Sequence, residues 1–290
     1  IIFSRLFSFP IMAIRLIAID IDGTLTNSHG EIPRVNHLAI NHALDRGIKI
    51  ALATGRSFHH TRLISDNLHH SVKLILNNGA LIKSSSGETL ERCVIPKATA
   101  AYIIEATRAA REGVLMMFDE PEKYELVAEG IDWNHPNRQT YYELHQSIIL
   151  EVDSLLDALS HDPIQVSFNG SVDAMRALAE VLTSLPRARE FSHTLTEYEH
   201  RDFSLLDVLP AGCSKGATLQ RLAKRLAISR DEVMAIGDNL NDRDMLEFAG
   251  LAIVMGNAVP ELKSRGWPVT GNHDDGGLAT AMEQFVFQSI

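Results

Sequence analysis

A chain of 290 residues with 45% hydrophobic and 22% charged residues has the composition of an ordinary soluble globular protein and is long enough for two domains, or one with an insertion. Its formal net charge of −10, with no compensating basic cluster, argues against nucleic acid as the main partner, because a phosphate backbone needs a basic stripe. No apolar run is long enough to cross a bilayer, and the two cysteines, Cys93 and Cys213, have neither CxxC nor Cys/His zinc spacing, so incidental thiols of a cytoplasmic protein are expected rather than a disulfide.

Residues 1–12 read as an arm, either a start-site or cloning artefact or a poorly ordered extension. Phe3, Leu6, Phe7 and Phe9 make it apolar, but it is short for a secretory signal and lacks a small-residue cleavage site. Met12, directly before Ala13-Ile14-Arg15, reads as the natural start. Residues 16–19 then form a continuous apolar run ending in Asp20-Ile21-Asp22-Gly23, which reads as a parallel strand covered on both faces. A helix over residues 33–46, a strand over 48–53, a helix over 58–68 and a strand over 74–76 follow. This βαβαβ order predicts a doubly wound parallel sheet with right-handed crossovers.

The rhythm changes after residue 81. A turn at 84–87 between short strands, a helix over 97–112, a hairpin of 114–118 with 124–128 around Glu120-Pro121, a strand over 164–168, a helix over 172–185 and strands over 189–193 and 203–208 suggest an α+β unit; residues 141–162 fit no single assignment. Alternation resumes after Pro210, with helices over 215–226, 242–248, 260–265 and 276–288, strands over 233–236 and 252–255, and an edge strand at 268–269. The fold class is therefore α/β: a doubly wound parallel Rossmann-like sheet built from residues 13–85 and 209–290, with residues 86–208 inserted as an α+β cap.

Polar residues punctuate the ends of three apolar strands: Asp20 and Asp22, Thr54, and Asp238. In a parallel sheet these ends share one edge, where open α/β sheets hold their ligands. Two carboxylates about 4 Å apart repel by about 4 kcal/mol even at an effective dielectric of about 20, so a proton, a lysine or a hard cation is required. A third at Asp238 strengthens the demand, and all-oxygen ligation suits Mg2+. An Asp-Gly turn accounts for Asp22-Gly23 but not for Asp20; a helix cap accounts for Asn241 or Asp242 but not for Asp238. Lys215 lies at a helix start, where the dipole disfavours a cation unless an anion binds nearby. Thr54-Gly55-Arg56 offers a hydroxyl, close backbone approach and a cation for phosphate, and reads equally well as a cap. Asn77-Asn78-Gly79 alone reads as a turn. His59, His60, His69 and His70 flank a helix in adjacent pairs that diverge, so solvated or capping roles are expected. Met116-Met117 reads as cap core and Trp267 as packing, while Trp133, His135, Tyr141 and Tyr142 are cap residues able to face a substrate.

Asp20-Ile21-Asp22-Gly23-Thr24-Leu25 resembles the DxDGT(L) signature of the haloacid dehalogenase superfamily. Ala53-Thr54-Gly55-Arg56, Asn77-Asn78-Gly79-Ala80, Cys213-Ser214-Lys215-Gly216 and Gly237-Asp238-Asn239-Leu240-Asn241-Asp242 resemble, in order, the remaining motifs of its Cof-like branch, which carries an α/β cap between the second and third. The resemblance implies a magnesium-dependent phosphatase of small phosphorylated metabolites, sugar phosphates above all. It implies Asp20 as nucleophile, Asp22 as general acid/base, and Thr54 and Lys215 on the phosphoryl group. Gly55, Asn78 and Asn241 would contact substrate. Asp238, the Asp20 side chain and the Asp22 main-chain carbonyl would hold Mg2+, with Asp242 in or near the layer of residues directly behind those ligands. A phosphomutase or phosphotransferase using the same aspartyl-phosphate and a non-catalytic phosphometabolite sensor are the alternatives, and a monomer or weak homodimer without nucleic-acid or membrane partners is expected.

Overall fold

The computed structural model describes residues 13–120 and 124–288; the expectations for residues 1–12 and for the hairpin turn at 121–123 lie outside them. The chain enters through β1 (Leu16–Ile19), whose four residues are wholly buried, as expected for a strand covered on both faces. α1 (Arg34–Asp45), β2 (Lys49–Ala53), α2 (Phe58–Ser65), β3 (Lys73–Leu76), β4 (Leu81–Ser84) and β5 (Thr89–Arg92) follow. Next come α3 (Lys97–Ala106), β6 (Val114–Met117), β7 (Leu126–Glu129), α4 (Pro136–His145), β8 (Ile149–Glu151), α5 (Leu155–Ala158), β9 (Gln165–Gly170), α6 (Val172–Ser184), β10 (Phe191–Tyr198) and β11 (Phe203–Pro210). The chain closes with α7 (Lys215–Arg225), β12 (Val233–Gly237), α8 (Arg243–Phe248), β13 (Leu251–Val254), α9 (Pro260–Lys263) and α10 (Gly277–Met282). Among the described residues no helix is long and apolar enough to cross a membrane.

The first sheet runs β13-β12-β1-β2-β3-β4-β5, parallel from β13 to β3 and antiparallel at β4 and β5. β1 is its switch point: the chain winds outward through β2 and β3, then returns on the other side as β12 and β13. The crevice at the C-terminal end of β1 is where such a sheet binds its ligand. The second sheet runs β10-β11-β9-β6-β7-β8 and is antiparallel except for the β7/β8 pair. Its strands alternate as a two-residue side-chain period requires. Val166, Phe168, Leu206 and Val208 pack with Ile103, Ile104, Leu178 and Leu182 of α3 and α6. Gln165, Ser167 and Asp207 point to the other face, towards the first sheet.

Several expected boundaries move. Thr89–Arg92 pairs with β4 in the first sheet, so the chain crosses into the second unit at residues 93–96, later than the expected 85/86 division. The return is also later, because Leu209 and Pro210 still pair with Ser192 and Phe191. α3 ends at Ala106 rather than running to residue 112; beyond Thr107 the N–H groups of Arg108 and Ala110 donate three residues back, to Glu105 O at 3.2 Å and Thr107 O at 2.9 Å, so the chain continues as turns. β10 extends to Tyr198 rather than stopping at residue 193. It is a half-exposed edge strand, so its polar residues hid it. Residues 268–269 contribute one isolated bridge, Val254 with Val269. The closing helix widens into a π turn over Glu283–Phe287.

Candidate active site

Asp20 directly follows β1 and is still held as a rung of the sheet, its N–H donating to Ile236 O at 3.0 Å. Its carboxylate accepts from Lys215 Nζ at 2.7 Å, and the same ammonium donates to Asp242 Oδ1 at 2.7 Å. Lys215 is the first residue of α7, whose N-cap Ser214 accepts from the Ala217 N–H at 3.1 Å. Only 1% of Lys215 is exposed. Asp242 also accepts, through Oδ2, from the N–H groups of Asp238 and Asn239 at 3.0 and 3.1 Å, which fixes the loop after β12. Gly23 (φ +82°) brings the loop after β1 against that loop; a Cβ here would run into the Asp238 carboxylate.

Carboxylate oxygens of Asp20, Asp238 and Asp242 all lie within 4.8 Å of one another. Burial first, then the Asp242 charge, push Asp20 up to about 7 against the opposing Lys215. Burial and the charges of Asp20 and Asp242 also hold Asp238 well above the usual carboxylate range. Burial would lower the Lys215 pKa, but Asp20 and Asp242 outweigh it and hold the ammonium charged. Three carboxylates share one lysine, and the donors are all oxygen. That set fits a hard dication such as Mg2+, which neutralises the excess charge.

Asp22 does not join this side-chain group. Its carboxylate turns to Arg56, which donates from Nε at 2.9 Å and from Nη2 at 2.5 Å. Desolvation acts to raise the Asp22 pKa, but the Arg56 hydrogen bonds and charge hold it below the ordinary value. Thr54 is buried at the end of β2, its hydroxyl accepting from the Arg56 N–H at 3.2 Å. Gly55 lies against the Asn78 amide. Asn78 sits in the expected turn and also bridges the two units: it donates to Asp207 Oδ2 at 2.8 Å and accepts from Asn241 Nδ2 at 3.3 Å. Every residue singled out at the strand ends therefore lies at the C-terminal edge of the first sheet.

A cavity of about 240 Å³ opens beside this edge, reaching from Asp22, Arg56 and Asn78 to Gln165, Ser167 and Asp207 of the second sheet. Trp133 and Tyr141 line it, whereas Tyr142 stacks on Trp133 at 5.1 Å. His135 caps α4, its Nδ1 accepting from the Asn137 N–H at 3.3 Å. His59 and His60 depart from expectation: they pack edge-on against His145, at 5.2 and 4.8 Å between ring centroids, because α4 covers that end of α2. Burial and the Arg56 charge take His60 down to about 3, so the ring is neutral. His69 and His70 are exposed. Met116 packs in the helix-covered core, while Met117 faces the cavity and accepts from Asn77 Nδ2 at 3.1 Å. Trp267 packs on the first core.

Sequence reasoning missed the Asn257 amide, which donates to Gly23 O at 2.8 Å, and missed Asp207. A carboxylate inside the apolar run Leu205-Leu206-Asp207-Val208-Leu209 was the available signal. Burial pushes Asp207 up to about 6, against hydrogen bonds from Ser167, Gln165 and Asn78. A carboxyl whose folded pKa is raised favours folding when protonated, and that advantage is lost as pH rises from about 4 through about 6. The stability difference between the parent chain and Asp207→Asn, measured by urea unfolding at pH 4 and pH 7, is expected to move against the parent by about 2 kcal/mol on raising the pH. A difference independent of pH counts against a strained carboxylate here.

The family model of haloacid dehalogenase-like hydrolases matches residues 17–282. The chain is 30% identical to the HMP-PP phosphatase of Cronobacter sakazakii over 254 residues, covering 86% of each chain. It is 28% identical to the 5-amino-6-(5-phospho-D-ribitylamino)uracil phosphatase YwtE of Bacillus subtilis, covering 94% of this chain and 98% of that one. Among solved structures, the phosphatase BT1666 of Bacteroides thetaiotaomicron superposes with a TM-score of 0.76 at 25% identity, over 94% of this chain and 95% of the other. With the family match running from β1 through α10, over both sheets and every strand end described above, this chain belongs to the haloacid dehalogenase-like hydrolase family and is an enzyme of its phosphatase branch.

Proposed function

We propose that the protein is a Mg2+-dependent phosphatase of small phosphorylated metabolites, sugar phosphates among them, acting through an aspartyl-phosphate on Asp20. The observation that carries this reading is the meeting of Asp20, Lys215, Asp238 and Asp242 at the end of β1, beside a cavity whose mouth holds Asp22. The names of the Cronobacter and Bacillus relatives support a small phosphorylated substrate. A monomer or weak homodimer in the cytoplasm is part of this proposal.

A carboxylate attacking a phosphate ester meets like-charge repulsion, which must be offset before the reacting atoms approach. Asp20, Asp238 and the Asp22 main-chain carbonyl would hold Mg2+, and Mg2+ when bound supplies that charge neutralisation. Lys215 supplies a second positive charge on Asp20, and Asp242 fixes both the ammonium and the loop carrying Asp238. Thr54, Gly55 and Asn78 line the approach to the phosphoryl group, with Asn241 held on Asn78. Asp20 Oδ then attacks phosphorus, the P–O bond to the alcohol breaks, and Asp22, which must first leave Arg56 and take up a proton, gives that proton to the departing oxygen. Asp22 next takes a proton from water, which attacks the aspartyl-phosphate and frees Asp20. The leaving alcohol would occupy the cavity between the two sheets, where Gln165, Ser167 and Asp207 meet it.

The test is phosphate release by the purified chain from a panel of phosphorylated metabolites with Mg2+. Chelation is expected to stop release, and excess Mg2+ to restore it. Mg2+ at about 100 times its dissociation constant is expected to stabilise the fold by about 2.7 kcal/mol. Turnover indifferent to chelator counts against the metal, and an isomeric ester in place of phosphate makes the enzyme a mutase.

A further inference from the structure

Cys93 and Cys213, separate in the sequence, lie side by side, each thiol acting on the other, and both are free. Their positions in the chain are particular. Cys93 follows β5, the last strand of the first sheet before the chain leaves it, and its N–H donates to Ala80 O at 2.8 Å. Cys213 lies on the return crossing, between the end of β11 and the N-cap of α7. Its N–H donates to Pro210 O at 3.0 Å, and its carbonyl accepts from Ser192 of β10 at 3.2 Å. The dithiol thus joins the two segments by which the second unit hangs from the first.

The surroundings make one sulfur a nucleophile and the other its partner. Arg221 of α7 donates from Nη2 to Cys93 Sγ at 3.2 Å, and the same side chain pairs with Glu91 and with the Thr218 hydroxyl. A guanidinium at this distance favours the thiolate. The Cys213 thiol leads in lowering Cys93 to about 6; burial opposes it, and Arg221 adds to it. Cys93 is partly exposed, while Cys213 is buried with its thiol held protonated. A partly exposed thiolate beside a second thiol has the arrangement of an attacking and a resolving sulfur.

We propose that Cys93 and Cys213 form an oxidisable dithiol, which a small peroxide converts to a disulfide that ties the two crossings together. The Cys93 thiolate attacks one peroxide oxygen; an S–O bond forms, the O–O bond breaks, and the departing hydroxide is protonated to water. The Cys213 sulfur then attacks the Cys93 sulfenic acid. The S–S bond forms, the S–O bond breaks, and the Cys213 proton leaves with the hydroxide as a second water. The two sulfurs together lose two electrons, and the peroxide gains them. The disulfide restrains the second unit against the first, and so slows the opening by which a lid admits substrate and releases product. This last consequence rests on the phosphatase reading.

The full-length protein is treated with hydrogen peroxide, and its thiols are counted before and after. Expected are loss of both free thiols, a Cys93–Cys213 cross-link in a non-reducing peptide map, no increase in dimer, and full reversal by dithiothreitol. Cys93→Ser and Cys213→Ser each abolish the cross-link. Arg221→Gln slows its formation by about tenfold at neutral pH, through the smaller thiolate fraction. Turnover falls in the cross-linked protein and returns on reduction, while both serine variants keep their rates through peroxide treatment. Two intact thiols, sulfinic or sulfonic acids without a cross-link, linkage only between molecules, or a cross-linked protein with unchanged turnover each overturn the proposal. If the reduced protein releases phosphate from no ester, the phosphatase reading fails, and the peptide map still decides the dithiol.

Discussion

Asp20→Asn is expected to abolish phosphate release while leaving a fold at least as stable as the parent's in metal-free buffer. The loss of rate follows from chemistry: an amide oxygen does not form the acyl-phosphate, and removing a nucleophile costs about 10⁴-fold or more. The gain in stability follows from the site. The Asp20 carboxyl stands at about 7 because burial and Asp242 outweigh the help it receives from Lys215, so the fold works against its negative charge. An acid with a raised folded pKa contributes stability while protonated and loses it as pH climbs from about 4 through about 7. In chelator at pH 8 the asparagine variant is therefore expected to unfold at a higher temperature than the parent. That advantage shrinks as the pH falls towards 5. A residual rate within tenfold of the parent overturns the nucleophile assignment, and a variant that unfolds earlier at pH 8 overturns the electrostatic account.

The first sheet was legible because its central strands are buried on both faces. Leu16, Ile17, Ala18 and Ile19 have no exposed surface, and such a strand leaves an unbroken apolar run that a short sequence window detects. The polar residues that end these runs were legible for the same reason. A carboxylate or threonine at the close of an apolar strand has a definite address once the strands are parallel. The placements that escaped depend on contacts between segments far apart in the chain. Arg56 takes the Asp22 carboxylate only because β2 lies next to β1, and Asp207 is strained because it is buried where the two units meet, a burden its hydrogen bonds with Asn78 of the first and Ser167 of the second only partly relieve. β10 carries polar residues on both faces, since one side of it is an open edge, and no hydrophobic period marks it. The two cysteines read as incidental thiols because nothing in their local sequence says that β5 and the return crossing run side by side.

Lys215→Met is expected to have the largest effect on stability and to remove activity as well. The lysine is as buried as any residue of the core, and its ammonium is shared by Asp20 and Asp242 at 2.7 Å each. A methionine fills much of the same volume, so the comparison isolates charge rather than packing. Removing one member of a buried ion group leaves its partners uncompensated, at a cost of about 3–5 kcal/mol. Here the partners are worse placed than a single carboxylate, because Asp238 lies within the same group and, among the described residues, no other cationic side chain pairs with them. The loss is expected in full in chelator at pH 8. It should shrink on acidification, as the carboxyls take up protons, and shrink again with Mg2+, which replaces part of the missing charge. Adding Asp242→Asn to Lys215→Met is expected to recover stability, a coupling that independent sites do not show. Activity should not return with it, since the asparagine restores neither the positive charge on Asp20 nor the one that meets the phosphoryl group. A Lys215→Met protein as stable as the parent in chelator, across that pH range, would mean that the acidic residues do not bear on one another, and the assignment of this edge as a cation-dependent phosphoryl site would fall with it.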